Sequence, residues 1–431
     1  MVFPAATKLI EWPDEEYKWI GFDVRIDIEW GKWWDFVDGG NGCFYGIPFN
    51  ARRVVEYDVE DKSINEIGPD LGNQLGKYIN GIKAGSGSIY CMPCEAEYIL
   101  KIIPGEGKYA SVQVLEEIQV SKIRWRNVWD FPFARGNMRF RTYLLKNMQG
   151  RSQNAKVQTE ESQLPSGGWK AGALANDGCI YYLSNNPDSM DRILKLDPND
   201  GDRLSLVGRF SLVGGEIRND GDRLSLLGRL SLVRKEIRGG CSAAALGNDG
   251  YIYGISNRNI IKFSPIDHSI SYVGGCFENT YVWTEDVIAY DGNIYAANQF
   301  GQILKIEPAD KKWSIIGTRM CDGSSWGRPV LGANKCIYFP PLSHDQVLKF
   351  NPATQKISLI GKSCGQCIWK WYNAVLASDG YIYCIPLNAK DILQIDSRHL
   401  NEQVLDMIEN LKANDKAFVE TTELKKRKRI S

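Results

Sequence analysis

Between Lys122 and Lys156 nine cations (Lys122, Arg124, Arg126, Arg135, Arg139, Arg141, Lys146, Arg151 and Lys156) face a single acid, Asp130. Trp125, Trp129, Phe131, Phe133, Phe140 and Tyr143 are interleaved with them. Cations paired with aromatic faces are the chemistry of sequence-tolerant nucleic-acid binding, and the same pairing serves an anionic protein partner. The candidate partner-binding residues are therefore Arg124, Trp125, Arg126, Trp129, Arg135, Arg139, Arg141 and Tyr143. The alternative is that the aromatics are core and the cations are solvated strand faces.

A second cationic feature is the terminal run Lys425-Lys426-Arg427-Lys428-Arg429, which reads as a nuclear-import signal or a polyanion tether, with an inert solvated tail as the alternative. Upstream, Val404, Met407, Ile408 and Leu411 keep helical spacing behind Ser397 as a cap. A helix is expected over 397–412, packing on the body of the protein.

Two C-x-x-C pairs, Cys91/Cys94 and Cys364/Cys367, stand far apart at unlike points of the chain, so they do not read as one four-ligand zinc site. Cys364-Gly-Gln-Cys367 is the more exposed by position and the better redox candidate. The three histidines, His268, His344 and His399, share no common position. No nucleophile elbow, phosphate-cradling loop or zincin motif is present. A catalytic set and a cofactor are accordingly not expected.

What must position these residues is a repeat. Tyr45, Tyr90, Tyr181, Tyr253, Tyr295, Tyr338 and Tyr383 each close a motif close to D-G-x-I-Y. Twelve residues before them stand Trp33, Tyr78, Trp169, Cys241, Trp283, Trp326 and Trp371. The copy Trp371 to Asp396 parses into three short strands, with Asp379-Gly380 offering a two-residue hairpin turn and Pro386 ending the second strand. Other copies add a fourth strand, such as Ile357 to Ile360. A forty-odd-residue period of antiparallel strands is the signature of a propeller or solenoid.

Counting tyrosine anchors plus a degenerate copy around Phe140, over about 119–168, gives eight four-stranded blades, or seven if Trp125 to Lys156 is an excursion. Tyr17 to Gly21 resembles Lys312 to Gly317, so the amino-terminal segment is expected to complete the last blade and tie the ring shut. Residues 1–16 would precede the propeller of 17–396, and 413–431 would follow the helix as a tail. Asn199–Arg218 and Asn219–Arg238 are a near-perfect tandem duplication, expected to be an insertion on a rim.

With D-G-x-I-Y followed by strands such as I-L-K-I-E-P, the units over about 17–396 resemble the NHL, gluconolactonase-like and kelch-like β-propeller group. The resemblance implies the fold. It also offers, as one alternative, a metal-dependent hydrolase or lactonase at the channel mouth. Asp177, Asp249, Asp291 and Asp379, however, fall in hairpin turns where Asp is favoured for backbone reasons.

Formal net charge is zero, so attraction to a polyanion must come from local patches. No apolar run approaches a membrane span, and Met1 to Glu16 turns acidic before any apolar stretch develops. With eleven cysteines, an odd number, an intracellular, cytoplasmic or nuclear setting is expected. The sequence reading is thus a non-catalytic scaffold or adaptor for a protein partner, with nucleic-acid binding as a further alternative.

Overall fold

The computed structural model describes residues 9–10, 17–21, 31–119, 169–184, 193–210, 241–321, 326–365 and 369–398, apart from 95, 106–109, 208, 257, 278–280, 282, 285–286 and 390. The described residues form seven sheets built on four antiparallel strands each, ordered from an innermost to an outermost strand. The first blade comprises Trp33–Asp38, Cys43–Pro48, Val54–Asp58 and Ile64–Ile67; the second, Tyr78–Lys83, Ile89–Pro93, Tyr98–Ile103 and Ser111–Gln119. The third comprises Trp169–Leu174, Ile180–Ser184, Ile193–Asp197 and Arg203–Val207. The fourth begins at Cys241–Leu246, the fifth at Val287–Ile288, the sixth at Val330–Leu331 and the seventh at Trp371–Leu376.

The second and third blades pack directly on one another. Tyr90, Met92 and Ile99 share one buried cluster with Ile180, Tyr182 and Leu194. The ring therefore closes with seven blades, the smaller of the two counts the repeats allow. The expected blade at 119–168 has no place between them, and all but its first residue lies outside the described residues.

Closure follows the sequence expectation. Tyr17–Gly21 pairs antiparallel with Asp391–Asp396, from Tyr17 opposite Ile395 to Gly21 opposite Asp391. Leu9–Ile10 then adds a fifth strand outside it. Joining the first strands to the last blade converts a loose ring end into ladder hydrogen bonds and covers an edge.

The repeat motif has a physical role beyond its turn. Asp177, Asp249, Asp291 and Asp379 each accept a backbone N–H two residues on with one carboxylate oxygen. The other oxygen accepts the hydroxyl of Tyr181, Tyr253, Tyr295 or Tyr383 at 2.7–2.8 Å. In the first and sixth blades Asn41 and Asn334 replace the acid and donate to Tyr45 and Tyr338. Each tyrosine ring is 0–1% exposed, and burying such a side chain stabilises by about 2 kcal/mol. One clip thus fixes the turn and satisfies a buried phenol together.

The turns differ from the two-residue type that Asp-Gly favours. Ala377 N–H donates to Tyr381 O and Gly380 N–H to Ala377 O, so the connection holds three residues. Only its glycine has positive φ, +82° at Gly380, as a three-residue hairpin requires.

The hairpin between third and fourth strands places Lys62, Asp202, His268, Lys311 or Gln355 at positive φ. From there it reaches the neighbouring blade. Lys62 donates to the Tyr383 hydroxyl at 2.9 Å, and Asp202 accepts from Tyr90 and from Lys101, the latter at 2.7 Å. The clip of one blade is thereby capped by the next.

Asp202 belongs to the first copy of the duplication, which corrects the expectation of a rim insertion. Arg203–Val207 is the fourth strand of the third blade, paired from Asp197 opposite Arg203 to Ile193 opposite Val207. Arg209–Phe210 continues as a parallel fifth strand on Ser269–Tyr272 of the fourth blade. The physical reason is that R-L-S-L-V alternates like the K-W-S-I-I and K-I-S-L-I fourth strands of other blades. Residues 211–240 and the expected helix and tail from 399 onward lie outside the described residues. Among the described residues there is no helix long and apolar enough to cross a membrane.

Candidate functional site: the axial mouth of four adjacent blades

The end of the ring opposite the clips is built from the first residues of the innermost strands and the loops that follow each second strand. Trp33 Nε1 donates to Arg53 O and Trp326 Nε1 to Gln346 O, so the anchor tryptophan of a blade holds its own loop. The carbonyl preceding the anchor gathers the same loop. Lys32 O accepts the amides of Phe49, Asn50 and Ala51, and Lys370 O accepts those of Leu387, Asn388 and Ala389. Asn50 and Asn388, matched in P-F-N-A and P-L-N-A, are loop residues by this geometry, and Asn50 Oδ1 also accepts Gly76 N–H at 2.9 Å.

In five blades the innermost strand bulges just after its anchor. Bulges re-aim side chains at strand ends. The residue ten before each repeat tyrosine stands here, and its identity changes from blade to blade. It is Arg328, Asn373, Asp35 and Asn80 in the sixth, seventh, first and second blades, Ala171 and Ala243 in the third and fourth, and in the fifth Glu285, which lies outside the described residues.

Three of these residues, Arg328, Asn373 and Asp35, meet in an arc centred on Asp35, which is 1% exposed, and the second blade joins through the Gly81 amide. Its carboxylate accepts Phe36 N–H at 2.8 Å, Gly81 N–H at 2.9 Å, Arg328 Nη1 at 3.0 Å and the Asn373 side-chain amide. Asn373 also donates to Phe36 O at 3.0 Å. One buried carboxylate so joins four blades, and Arg328 reaches past the seventh blade to the first. Charge-assisted bonds of this kind are roughly twice as strong as neutral ones. Gly327 makes the approach possible, because a Cβ there would collide with Tyr372 O.

Beside the arc lies an apolar cluster of Trp34, Ile79, Cys94, Leu342 and Tyr372, with Phe49, Trp369 and Leu387 partly buried against it. Trp34 packs on Phe49 at 4.9 Å and on Tyr372 at 4.8 Å between ring centroids. Trp369 has φ of +66°, a left-handed conformation costly for a bulky residue and found where surroundings over-determine it. Lys77, 2% exposed, donates to Gln74 O at 2.7 Å and Gly72 O at 3.3 Å, and burial pulls its pKa down to about 8.

Other residues singled out in the sequence have structural surroundings. His344 stacks on Trp326 at 4.6 Å and its Nδ1 accepts Gln346 N–H, whereas His268 stacks on Phe263 at the far end of the ring. His399 and Cys367 lie outside the described residues. Cys91 and Cys94 are buried, and burial pushes the Cys364 thiol up to about 11, which suppresses the thiolate that redox exchange needs. Among the described residues no three metal-ligating side chains converge. Arg124, Trp125, Arg126, Trp129, Arg135, Arg139, Arg141 and Tyr143, and Lys425 to Arg429, lie outside the described residues, so the mouth is the site that sequence reasoning missed.

No protein-family model matches the chain, and no curated protein sequence matches it. Solved structures do. A streptogramin B lyase is similar over 87% of this chain and 96% of its own, with a TM-score of 0.56 and 13% identity. A catalytically inactive virginiamycin B lyase from Staphylococcus aureus with quinupristin aligns over 86% and 97%, at 0.55 and 11%. YCF48 bound to a D1 peptide aligns over 90% and 97%, at 0.51 and 9%. At these identities the likeness shows a shared fold: the chain is a β-propeller.

Proposed function

We propose that the protein is a non-catalytic propeller that holds a macromolecular partner, foremost a protein segment, against the axial mouth of the sixth, seventh, first and second blades. The observation that carries this reading is the Asp35 carboxylate, which draws Arg328, Asn373 and the Gly81 amide of adjacent blades together at one end of the ring, while the third and fourth blades hold Ala171 and Ala243 at the matching offset. A structural requirement of the ring would recur in every blade; a recognition surface need not. The aromatic cluster beside the arc supplies apolar area with polar groups at its edge, the composition of interface hot spots. A fold neighbour, YCF48, is bound to a peptide, which supports a peptide segment as the partner class.

The basic-aromatic run from Arg124 to Tyr143 is the second proposed contact, and the run Lys425 to Arg429 a proposed import signal. The hydrolase alternative is less well supported. Asp177, Asp249, Asp291 and Asp379 are engaged by tyrosines at the other end of the ring.

The test is mild purification of the full-length protein from its native cells, followed by chemical crosslinking and mass spectrometry. A stoichiometric partner crosslinked to the loops at Phe49 to Arg53, Leu342 to Gln346 and Leu387 to Ala389 is the expected result. Recovery of the protein alone, carrying a metal or small molecule, would overturn the reading and favour the hydrolase. Partner affinity that collapses with salt would move it towards nucleic acid.

A further inference from the structure

We infer that the fourth-strand slot of the third blade has two competing occupants within this chain: Arg203–Val207, which fills it here, and its duplicate Arg223 to Leu227. The slot is the outer edge of Ile193–Asp197, and what it demands of an occupant can be read residue by residue. Asp200, Gly201 and Asp202 make the hairpin, with Gly201 and Asp202 at φ of +61° and +60°. Asp202 binds Tyr90 and Lys101 of the second blade. Leu204 packs on the cluster between the second and third blades, and Val207 on the cluster between the third and fourth. The second copy supplies Asp220, Gly221, Asp222, Leu224 and Leu227 at the same places, with Leu for Val as the one change in the strand. Arg229-Leu230 likewise stands where Arg209-Phe210 pairs with Ser269–Tyr272.

Chain lengths permit the exchange. In the first, fourth, fifth and sixth blades the run from the fourth strand to the next anchor takes nine or ten residues: 68–77, 273–282, 317–325 and 361–370. With the first copy in the slot that run is 208–240. With the second copy it is 228–240, close to the ordinary length, and the first copy becomes a long hairpin loop instead. The extra twenty residues are thus carried on one side of the strand or the other. Loop-closure cost grows only logarithmically with length, so the two registers differ by roughly a few-fold in population.

The experiment places an acid at the packed leucine of either copy in the full-length chain: L204D, L224D and the double substitution, compared by equilibrium unfolding. Exchange predicts that each single variant shifts the unfolding equilibrium by no more than roughly a few-fold. The double variant then loses on the order of tenfold to a hundredfold, because no intact copy remains. L204D falling as far as the double variant, with L224D inert, overturns the proposal, as does a double variant that unfolds like wild type. If the double variant fails to fold, L204D in a chain lacking 219–238 decides: exchange requires that this chain collapse while L204D in the full chain folds.

Discussion

The two ends of the ring are built on opposite principles. At the clip end the Tyr–Asx contact is repeated in the first, third, fourth, fifth, sixth and seventh blades, and in the second blade Tyr90 takes its carboxylate from Asp202 instead. At the mouth the same register position holds Asp, Asn, Ala, Ala, Arg and Asn in the blades where it is described. Repetition marks what every blade needs in order to pack, and variation marks what a single molecule-wide surface uses.

The clip end should fail in alkali. Burial and the adjacent Asp raise the pKa of Tyr181, Tyr253, Tyr295 and Tyr383, and Tyr90 is pushed up to about 12. A raised acid stays protonated in the fold while the unfolded phenol ionises near pH ~10. The unfolded state then binds fewer protons, so stability falls with rising pH. By about pH 11.5 the loss is about 2 kcal/mol for each clipped tyrosine, and Tyr383→Phe removes one share of it, read from denaturant midpoints.

At the mouth the largest effect belongs to Gly327→Ala, whose methyl meets the Tyr372 carbonyl. We expect a loss of about 3 kcal/mol, seen as a lower Tm. Asp35 is not repeated among the blades, yet it ties four of them, so the mouth is both variable and rigid.

Lys77 gives the opposite pH sign from the tyrosines. Its folded pKa, about 8, lies below the ordinary lysine value of 10.5, so the unfolded state binds more protons between them. Its contribution therefore rises with pH across that window, by about 1.4 kcal/mol per pH unit at most. Lys77→Met should remove that rise, which the difference between the two stability profiles from pH 8 to 10 measures.

The smallest effect sharpens the meaning of the clip. Among the described residues the buried hydroxyls of Tyr57 and Tyr182 find no hydrogen-bond partner. Tyr182→Phe should change stability by no more than about 0.5 kcal/mol, or raise it, because it removes an unsatisfied polar atom rather than a contact. A loss as large as that of Tyr383→Phe at neutral pH would show that packing of the ring, not the Asp contact, is what the repeat preserves.

Much of the fold was legible because each blade repeats one solution. Tyr17 to Gly21 announced ring closure through its likeness to Lys312 to Gly317, and Asp-Gly announced the hairpins. The Asp carboxylate was legible as a turn residue but not as a tyrosine partner, since that contact depends on where the second strand places its hydroxyl. Blade number was not legible, because the segment around Phe140 reads as a degenerate copy of the unit. The first duplicate was misplaced because identity to its neighbour masked its likeness to other fourth strands. The mouth left no repeat signal: Arg328, Asn373, Asp35 and Asn80 share only an offset of ten residues from their repeat tyrosine.

The most direct test of the division between the two ends is a comparison of two folded variants in partner capture from native cells. One carries Arg328→Gln with Trp369→Gly at the mouth; the other carries Asp379→Asn at a clip. The mouth variant should lose the stoichiometric partner while the clip variant, though less stable, keeps it. Retention by the mouth variant, or equal loss by both at temperatures where each is folded, would contradict that division.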